Sequence, residues 1–407
     1  MEEKKHEKLF NKDYLSLLIG GLVSSFGAIL YSAAVSYYVY EKTGSTTLMG
    51  IISSISFFTI VILSPFTGAI TDHLKRRNVI VVADLVRGVF FTIIGLLTLK
   101  DNVPNAIFII AVILSGICSS FYSPAASSLL VDILDEKILV KGQSANSGAV
   151  QLIQMAGTAM SGALLVKFGV GETILINGIA YLIAGLMKTI VTNYPSHNEQ
   201  QKVNVSMVLN DFVKGCKIVV EDKVVFLMMG TSILTNLFIS GFNDIFLAYC
   251  LDVGFTLEQY GYLSSIMSLG GVIGIGLLTV FTIKENKQLS IGCISFDISM
   301  LIMGIGTYYP SMIFTSACYL ICSLLNAFGN GLFNAILVLA LPEQSRGVLL
   351  GLMTTISTLG CAISSLLYGF LGDTMSLKLL GLIGSVLSAV PFVLCMILLK
   401  KVKTQQS

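Results

Sequence analysis

Charged side chains are scarce in this chain of 407 residues. Asp, Glu, Lys and Arg together make up 12% of it, whereas soluble domains carry about 25%. Hydrophobic residues make up 54% of the chain, and its mean hydropathy is +0.84. So few charges could not cover the surface of a soluble protein of this length, so the composition excludes that class. The net charge of +2 is too small to indicate a nucleic-acid partner.

The sequence also lacks the residue patterns of metal, nucleotide and catalytic sites. It has no CxxC pair, no Cys/His cluster, no HExxH and no phosphate-binding GxxxxGK[ST] loop. We therefore expect no enzyme activity, no nucleotide, no metal and no other cofactor. Its three histidines, His6, His73 and His197, lie outside the apolar runs, and seven of its eight cysteines lie within them. The cysteines are therefore predicted to be packing residues rather than disulfide partners.

The apolar residues are collected into runs long enough to cross a bilayer. A spanning helix needs roughly 20 mostly apolar residues, and lipid offers no partner for unpaired backbone groups. The chain is therefore predicted to be an all-α integral membrane protein with about twelve spans. These spans are expected at 14–39, 46–70, 79–99, 104–130, 143–167, 171–192, 224–250, 258–282, 288–308, 311–341, 346–371 and 376–399.

The basic residues predict how the chain lies in the membrane. Of its 25 Lys and Arg residues, 19 fall on one predicted side, four fall on the other and two fall within spans. Because basic loops remain in the cytoplasm, this asymmetry places both termini there. The polar segment 1–13 is followed by no small-residue cleavage site and is not expected to be a removable signal. We expect a multi-pass protein of a bacterial-type plasma membrane.

A long polar stretch divides the spans into two sets of six. The predicted domains are an N-terminal six-helix bundle at 1–192, a cytoplasmic linker at 193–223 and a C-terminal bundle at 224–407. The second and eighth spans open on related sequences, GIISSI from Gly50 and GYLSSI from Gly261. Parallel repeats of this kind are a known transporter plan, with the substrate site between the halves.

The loop after the second span carries a family motif. Gly68 is followed by Asp72 and then by Lys75, Arg76 and Arg77. This pattern resembles the signature of the major facilitator superfamily, which implies two pseudo-symmetric six-helix bundles and a cytoplasmic gate at this loop. Further segments resemble the macrolide-efflux-like branch of that superfamily: 40–45, 83–85, 121–125 and 343–347, the last containing Arg346, which we assign to the same gate.

Two positions depart from that family pattern. Gly148, Gly157 and Gly162 in span five are spaced like the glycine-rich antiporter motif of superfamily exporters, but Thr158 stands where proline is usual. Relatives tend to carry an arginine in span four, which is often linked to proton coupling, and this chain has Ser115 there. The resemblance therefore implies an exporter that departs from the family's standard coupling mechanism.

Charges within spans are costly and are treated as functional by default. Asp84 and Arg87 are three residues apart on one helical face, so they can pair. One interpretation places them in a salt-bridge network near Asp72 and Arg76, holding the inner ends of the helices together. The other gives Arg87 the role of the missing span-four arginine in proton coupling.

Two further carboxylates lie alone in spans and are candidates for proton coupling. Asp244 in span seven has no basic residue within a helical turn, and Asp297 near the middle of span nine is equally solitary. Asp244 is the leading candidate for the proton carrier, and a structural bond to a neighbouring helix is the alternative role for both.

Polar side chains at helical spacing predict a wet cavity. Asn326, Asn330 and Asn334 recur every four residues in span ten, and such a face would be wasteful towards lipid. Scattered aromatic and amide groups in other spans suit a broad, amphipathic cargo site. The remaining candidates for cavity lining are Tyr31, Gln151, Gln154, Asn236 and Asn243.

Together these observations predict a secondary transporter that exports an amphipathic small molecule, such as a macrolide-like drug, by alternating access coupled to protons. Its partners are expected to be the cargo, protons and membrane lipid, with the protein acting as a monomer. Export of a specific metabolite such as a siderophore or peptide, uncoupled facilitation, and a non-transporting membrane receptor or immunity protein remain as alternatives.

Overall fold

The computed structural model of the protein describes residues 8–71, 74–100, 104–194, 216–280, 283–341 and 346–406. Long helices make up almost all of this part of the chain, as the sequence predicts. Eleven continuous helices within it are long and apolar enough to cross a membrane. The longest contains two of the predicted spans, which brings the number of helical segments to twelve.

The helices follow the predicted spans closely. The first four are α1 (Lys12–Thr43), α2 (Thr46–Thr71), α3 (Arg76–Thr98) and α4 (Asn105–Ile133). The long element Glu136–Lys188 provides α5 and α6, which we divide below. The last six are α7 (Lys223–Asp252), α8 (Leu257–Val280), α9 (Glu285–Tyr308), α10 (Met312–Ala340), α11 (Arg346–Thr374) and α12 (Leu377–Gln406).

Gly169 separates α5 from α6. Its backbone angles, φ 82° and ψ 177°, interrupt the long element Glu136–Lys188 and lie in a region that only glycine adopts readily. We therefore name residues 136–168 α5 and residues 170–188 α6. The break falls in the three residues that the sequence leaves between spans five and six.

The predicted start of span five at residue 143 is too late. The helix begins seven residues earlier, because the Asp135 carboxylate accepts a hydrogen bond from the backbone N–H of Lys137 and caps it. The predicted loop residues Lys137 and Lys141 are therefore helical.

The chain divides into two compact units. One contains residues 1–38 and 58–208, and the other contains residues 39–57 and 209–407. The second unit thus includes the end of α1 and the first half of α2. The predicted linker lies mostly outside the described residues, and the predicted domain boundaries stay a prediction.

Apolar side chains cover the outside of the helices as well as their contacts. On α3, one face buries Ile80, Phe91 and Ile94, while Val82 and Val89 are more than half exposed on the opposite face. A soluble protein would place polar groups on that second face. Such a surface is suited to lipid.

Glycines allow α3 and α6 to pack closely in the first unit. A Cβ atom built on Gly88 or Gly95 would clash with Leu182 or Leu175 of α6. In the same way, a Cβ atom on Gly185 would lie 2.9 Å from the side chain of Leu85. Small residues at seven-residue spacing on α3 therefore form a tight seam with α6.

A second close seam joins the start of α2 to the end of α11 within the second unit. A Cβ atom on Gly369 would lie 2.9 Å from the Cα atom of Gly50. The Thr46 hydroxyl donates to the Gly369 carbonyl at 2.8 Å, and the Ser54 hydroxyl donates to the Ala362 carbonyl at 2.8 Å. These hydroxyls donate hydrogen bonds to backbone carbonyls of the opposite helix. They thereby satisfy polar groups that could not bond to water in the interior of a bilayer.

Candidate functional site

Three charged side chains meet in the interior of the first unit. The Asp84 carboxylate accepts hydrogen bonds from the Arg87 guanidinium at 2.8 Å and from the Lys188 ammonium at 2.5 Å. Asp84 and Lys188 are fully buried and Arg87 is 5% exposed. We call these three residues the buried charge cluster. One carboxylate is shared by two cations, so it satisfies both with charge-assisted hydrogen bonds.

Aromatic side chains complete the surroundings of the cluster. The Arg87 guanidinium carbon lies 4.6 Å from the ring centre of Tyr181, and the Lys188 nitrogen lies 4.6 Å from that of Tyr122. Lys188 also donates to the Tyr122 hydroxyl at 2.7 Å. Cations over aromatic faces are stabilised by about 0.5–2 kcal/mol, depending on desolvation.

The sequence predicts the pairing of Asp84 with Arg87 but not the third member of the cluster. Lys188 comes from the last residue of α6, and the α3–α6 seam carries it to Asp84. Glycines at Gly88 and Gly95 in span three and at Gly178 and Gly185 in span six share a spacing of seven. That repeat, together with the single base in span six, is the signal that could have identified Lys188.

The cluster also lies deeper than the sequence suggests. Arg87 is the central residue of the 23 in α3, eleven residues from Arg76 at its start. Eleven residues correspond to about 16 Å along the helix. Arg76 instead pairs with Asp132 of α4 at 2.6 Å. The described salt bridges thus pair Arg76 with Asp132 and join Asp84 to Arg87 and Lys188, while a network that includes Asp72 stays a prediction.

Three of the other predicted gate residues lie at or near helix ends. Asp72 lies outside the described residues, Gly68 lies near the end of α2, and Arg77 follows Arg76 in the first turn of α3. Arg346 is the first residue of α11. Their role as a gate stays a prediction.

A cavity of about 340 Å³ opens beside the buried charge cluster. Its wall is built from α1, α3, α4, α5 and α6, all within the first unit. Arg87, Tyr122 and Tyr181 reach this wall from the cluster, whereas Asp84 and Lys188 are not among the residues that line it. The other polar side chains in the wall are Tyr14, Ser24, Ser25, Ser119, Ser127, Gln143 and Asn146.

Asp244 occupies a separate polar group in the second unit. Its carboxylate accepts a hydrogen bond from the Ser365 hydroxyl of α11 at 2.5 Å, and the Ser53 hydroxyl of α2 is a second polar neighbour that interacts with it. None of the described salt bridges includes Asp244. Among the described residues, the carboxyl group therefore rests on two hydroxyls from two other helices, and no cation pairs with it.

Asp297 has fewer partners. Among the described residues, its Oδ1 atom is buried and has no hydrogen bond. It lies on α9, one turn after Cys293, whose thiol neighbours that of Cys395 on α12. All eight cysteines are free thiols. The described residues contain no group of three or more His, Cys, Asp or Glu side chains able to hold a metal ion.

The predicted cavity residues have different surroundings within their own units. Gln151, Gln154, Asn243 and Asn334 are exposed, while Asn330 donates to the Asn326 side chain at 3.0 Å. Asn236 donates to the Ser232 carbonyl of its own helix, and the buried Tyr31 hydroxyl has no hydrogen-bond partner among the described residues. Asn243 and Asp244 point in different directions, since consecutive helical residues are about 100° apart.

The glycines of the predicted antiporter motif lie on α5. A Cβ atom on Gly157 would lie 3.0 Å from Ile29 of α1, whereas one on Gly148 would meet open space. Gly162 is buried. Close helix packing therefore requires a glycine at position 157 but not at position 148.

Comparisons with known proteins extend over nearly the whole chain. The model of the Major Facilitator Superfamily matches residues 17–365. Macrolide efflux protein A of Streptococcus pyogenes is 20% identical over 384 residues, covering 93% of each chain. The staphyloferrin A transporter of Staphylococcus aureus is 23% identical over 44% of each chain. Among solved structures, a bacterial homolog of the human lysosomal transporter Spinster has a TM-score of 0.70 at 13% identity, covering 94% of each chain.

Proposed function

Because the chain belongs to the Major Facilitator Superfamily of multi-pass membrane transporters, we propose that it exports an amphipathic small molecule by proton-coupled alternating access. Similarity to macrolide efflux protein A over 93% of both chains supports export and a macrolide-like cargo. In this proposal the two six-helix halves rock about the cargo, with both termini in the cytoplasm of a bacterial-type cell.

Asp244 is the proposed proton carrier. The observation that supports this role is a carboxyl group held only by the hydroxyls of Ser53 and Ser365, with no cation among its described partners. A hydroxyl can donate to a carboxylate and can also accept from a carboxylic acid, so both protonation states keep their hydrogen bonds. Such a site takes up and releases a proton without leaving a polar group unpaired.

Its position also links the proton to the helices that move in the proposed cycle. Asp244 lies on α7, Ser365 on α11 and Ser53 in the first half of α2. Loss of the negative charge changes the direction of the hydrogen bonds among these three helices. Protonation would thereby bias how tightly α2 and α11 are held to α7.

The test is transport by the purified protein in proteoliposomes with an acidic lumen. A labelled macrolide should accumulate in these vesicles, because outward proton flow drives its entry. Asp244→Asn should abolish this gradient-driven accumulation, yet retain exchange of labelled for unlabelled drug at equal pH, since exchange needs no net proton transfer. Asp252→Asn, which changes an exposed carboxylate on the same helix, is the matched control and should transport normally.

Three outcomes separate the candidates. Accumulation by Asp244→Asn at the rate of the unaltered protein would contradict the assignment. Loss of accumulation in Asp297→Asn with a normal Asp244→Asn would transfer the role to Asp297. A protein that binds the drug but performs no exchange is a receptor rather than a transporter.

A second candidate cargo is a siderophore, favoured by the similarity to the staphyloferrin A transporter. Exchange assays with a labelled siderophore and a labelled macrolide in the same vesicles would distinguish the two cargoes.

A further inference from the structure

The buried charge cluster carries an excess of positive charge. It contains one carboxylate, Asp84, and two cations, Arg87 and Lys188. The other ionisable groups that interact with Arg87 are Tyr181, Tyr122 and Cys118, whose phenol and thiol groups are ordinarily neutral at neutral pH. Among the described residues around Arg87, one positive charge is therefore left without a negative partner.

The excess charge faces the cavity. Lys188 and Asp84 lie behind the wall, where Asp84 neutralises one cation and Lys188 is fully enclosed. Arg87 is the member of the cluster that lines the cavity. An occupant of the cavity would therefore meet the guanidinium first and the carboxylate not at all.

Arg87 also has hydrogen-bond donors to spare. Its Nε atom donates to the Ala83 carbonyl at 3.2 Å, and its two terminal nitrogens donate to Asp84 at 2.8 Å and Ser119 at 3.3 Å. These bonds occupy three of the five N–H groups of a guanidinium. The two others have no partner among the described residues. The planar guanidinium is the side chain best matched to a carboxylate or phosphate.

The remainder of the cavity wall is amphipathic. Hydroxyl and amide groups stand beside apolar side chains, among them Leu17, Leu18, Leu130 and Val150. A volume of about 340 Å³ is at the lower end of the range for small-molecule sites. It suits an anionic group attached to a small apolar body.

We propose that this cavity binds an amphipathic ligand through a single carboxylate or phosphate group, with Arg87 as its anchor. Asp84 and Lys188 are positioning residues that orient the guanidinium from behind. The inference rests on the proposed function only for the reason that an amphipathic small molecule enters the protein. Among cargoes of that class, it favours one that carries an anionic group over a macrolide, which carries a basic amine and no anionic group.

Direct binding to the purified full-length protein tests this proposal without transport. The chain contains no tryptophan, so a naphthalene probe excited beyond tyrosine absorption can be observed against little background. The probes are 1-naphthylacetate and its neutral amide, 1-naphthylacetamide. The carboxylate should bind at least tenfold more tightly than the amide, a difference of about 1.4 kcal/mol. Equal affinity for the two probes would overturn the proposal.

Variants distinguish binding by the Arg87 guanidinium itself from attraction by the net positive charge of the cluster. Arg87→Met should weaken binding of the carboxylate about tenfold and leave the amide unchanged. The double variant Asp84→Asn with Lys188→Met keeps Arg87 and one net positive charge, and it should keep the preference for the carboxylate. Retention of the preference in Arg87→Met, or its loss in the folded double variant, would overturn the assignment of Arg87.

A single change at Lys188 provides a test should Arg87→Met fail to fold. Lys188→Met leaves Asp84 and Arg87 as a neutral pair, so it should lower the preference for the carboxylate at least threefold. An unchanged preference would show that excess charge does not select the ligand. Melting temperatures of all variants verify that each is folded.

Competition distinguishes an amphipathic ligand from a free anion. Sodium acetate and inorganic phosphate should displace 1-naphthylacetate only at concentrations at least tenfold higher than the probe's own, because they lack the apolar ring. Displacement at equal concentration would overturn the amphipathic part of the proposal. Failure of macrolide transport with the carboxylate preference intact would count against the macrolide cargo of the proposed function and would leave the anionic binding site standing.

Discussion

At the scale of single residues, Asp84 holds the buried charge cluster together. Its two carboxylate oxygens bond separately to Arg87 and Lys188, and none of the three side chains is more than 6% exposed. A buried ion pair gains little over an apolar pair, but removal of one partner leaves an uncompensated charge in a medium that solvates it poorly. Removal of the shared carboxylate leaves two such charges side by side.

Asp84→Asn is therefore expected to destabilise the protein strongly, by about 3–5 kcal/mol in the free energy of unfolding. Lys188→Met should cost less, because Asp84 remains paired with Arg87. The measurement is reversible unfolding in mixed micelles. Asp252→Asn changes an exposed carboxylate and should stay within about 0.5 kcal/mol of the unaltered protein. Equal stability of the Asp84 and Asp252 variants would show that the Asp84 carboxylate does not stabilise the protein by neutralising Arg87 and Lys188.

The sequence identifies the local part of this cluster only. Asp84 and Arg87 are one helical turn apart, so their pairing follows from helix geometry. Lys188 is 104 residues from Asp84 in the chain, and its approach depends on the packing of α6 against α3. The cavity beside Arg87 likewise draws on five helices, and the predicted lining residues Gln151 and Gln154 are not part of its wall.

At the scale of helices, the seam between α2 and α11 is held by hydrogen bonds and by close backbone contact at glycines, rather than by large apolar side chains. The Asp373 carboxylate of α11 accepts hydrogen bonds from the backbone N–H groups of Thr46 and Thr47, at 2.6 and 3.1 Å. These are among the N–H groups that a helix start leaves unpaired. The end of one helix thus caps the beginning of another, and Gly50 and Gly369 allow the two backbones to touch.

Gly369→Ala should break this seam. Its new Cβ atom would lie 2.9 Å from both the Gly50 Cα atom and the Thr46 carbonyl oxygen, so the helices must separate. Overpacking of this kind costs about 1–3 kcal/mol, measured as the free energy of unfolding. Gly351→Ala on the same helix meets nothing within 4 Å and should be neutral or stabilising by up to about 1 kcal/mol. Similar stability of the two variants would contradict the close contact.

Helix positions follow from the sequence to within a few residues, with two informative exceptions. The sequence predicts too late a start for α5, because the bases Lys137 and Lys141 are typical of a loop. In the structure, Asp135 caps a helix that contains both of them. The end of α12 lies at Gln406, beyond the predicted 399. Hydropathy locates the part of a helix that lipid requires, but backbone hydrogen bonds continue past the apolar region.

At the scale of the whole molecule, the distribution of bases predicts which side each loop faces. Cys216 offers a direct test, since it is the cysteine that the sequence places in a cytoplasmic loop, between Lys214 and Lys217. Six other cysteines are buried, and Cys361 is half-buried. A single replacement, Cys361→Ala, therefore leaves Cys216, which is also half-buried, as the one cysteine that is not buried.

In that background, a membrane-impermeant maleimide should label Cys216 in inside-out vesicles and fail to label it in intact cells. The positive-inside distribution is the physical reason, because basic loops are retained in the cytoplasm. An added Lys42→Cys replacement, in the exposed segment after the first span, should give the reverse pattern. Labelling of Cys216 in intact cells would invert the proposed orientation.

The sequence by itself determined the class of this protein and the order of its helices. Composition, run length and base asymmetry are local or summed properties, and lipid imposes the same requirement on every span. Tertiary structure decided which isolated charges meet. Within the part of the chain that the structure describes, Arg87 lines a cavity, Asp84 binds a second cation in Lys188, and Asp244 contacts the hydroxyls of Ser53 and Ser365 without a cation. Those outcomes depend on close contacts between distant segments, which no periodicity along one helix encodes.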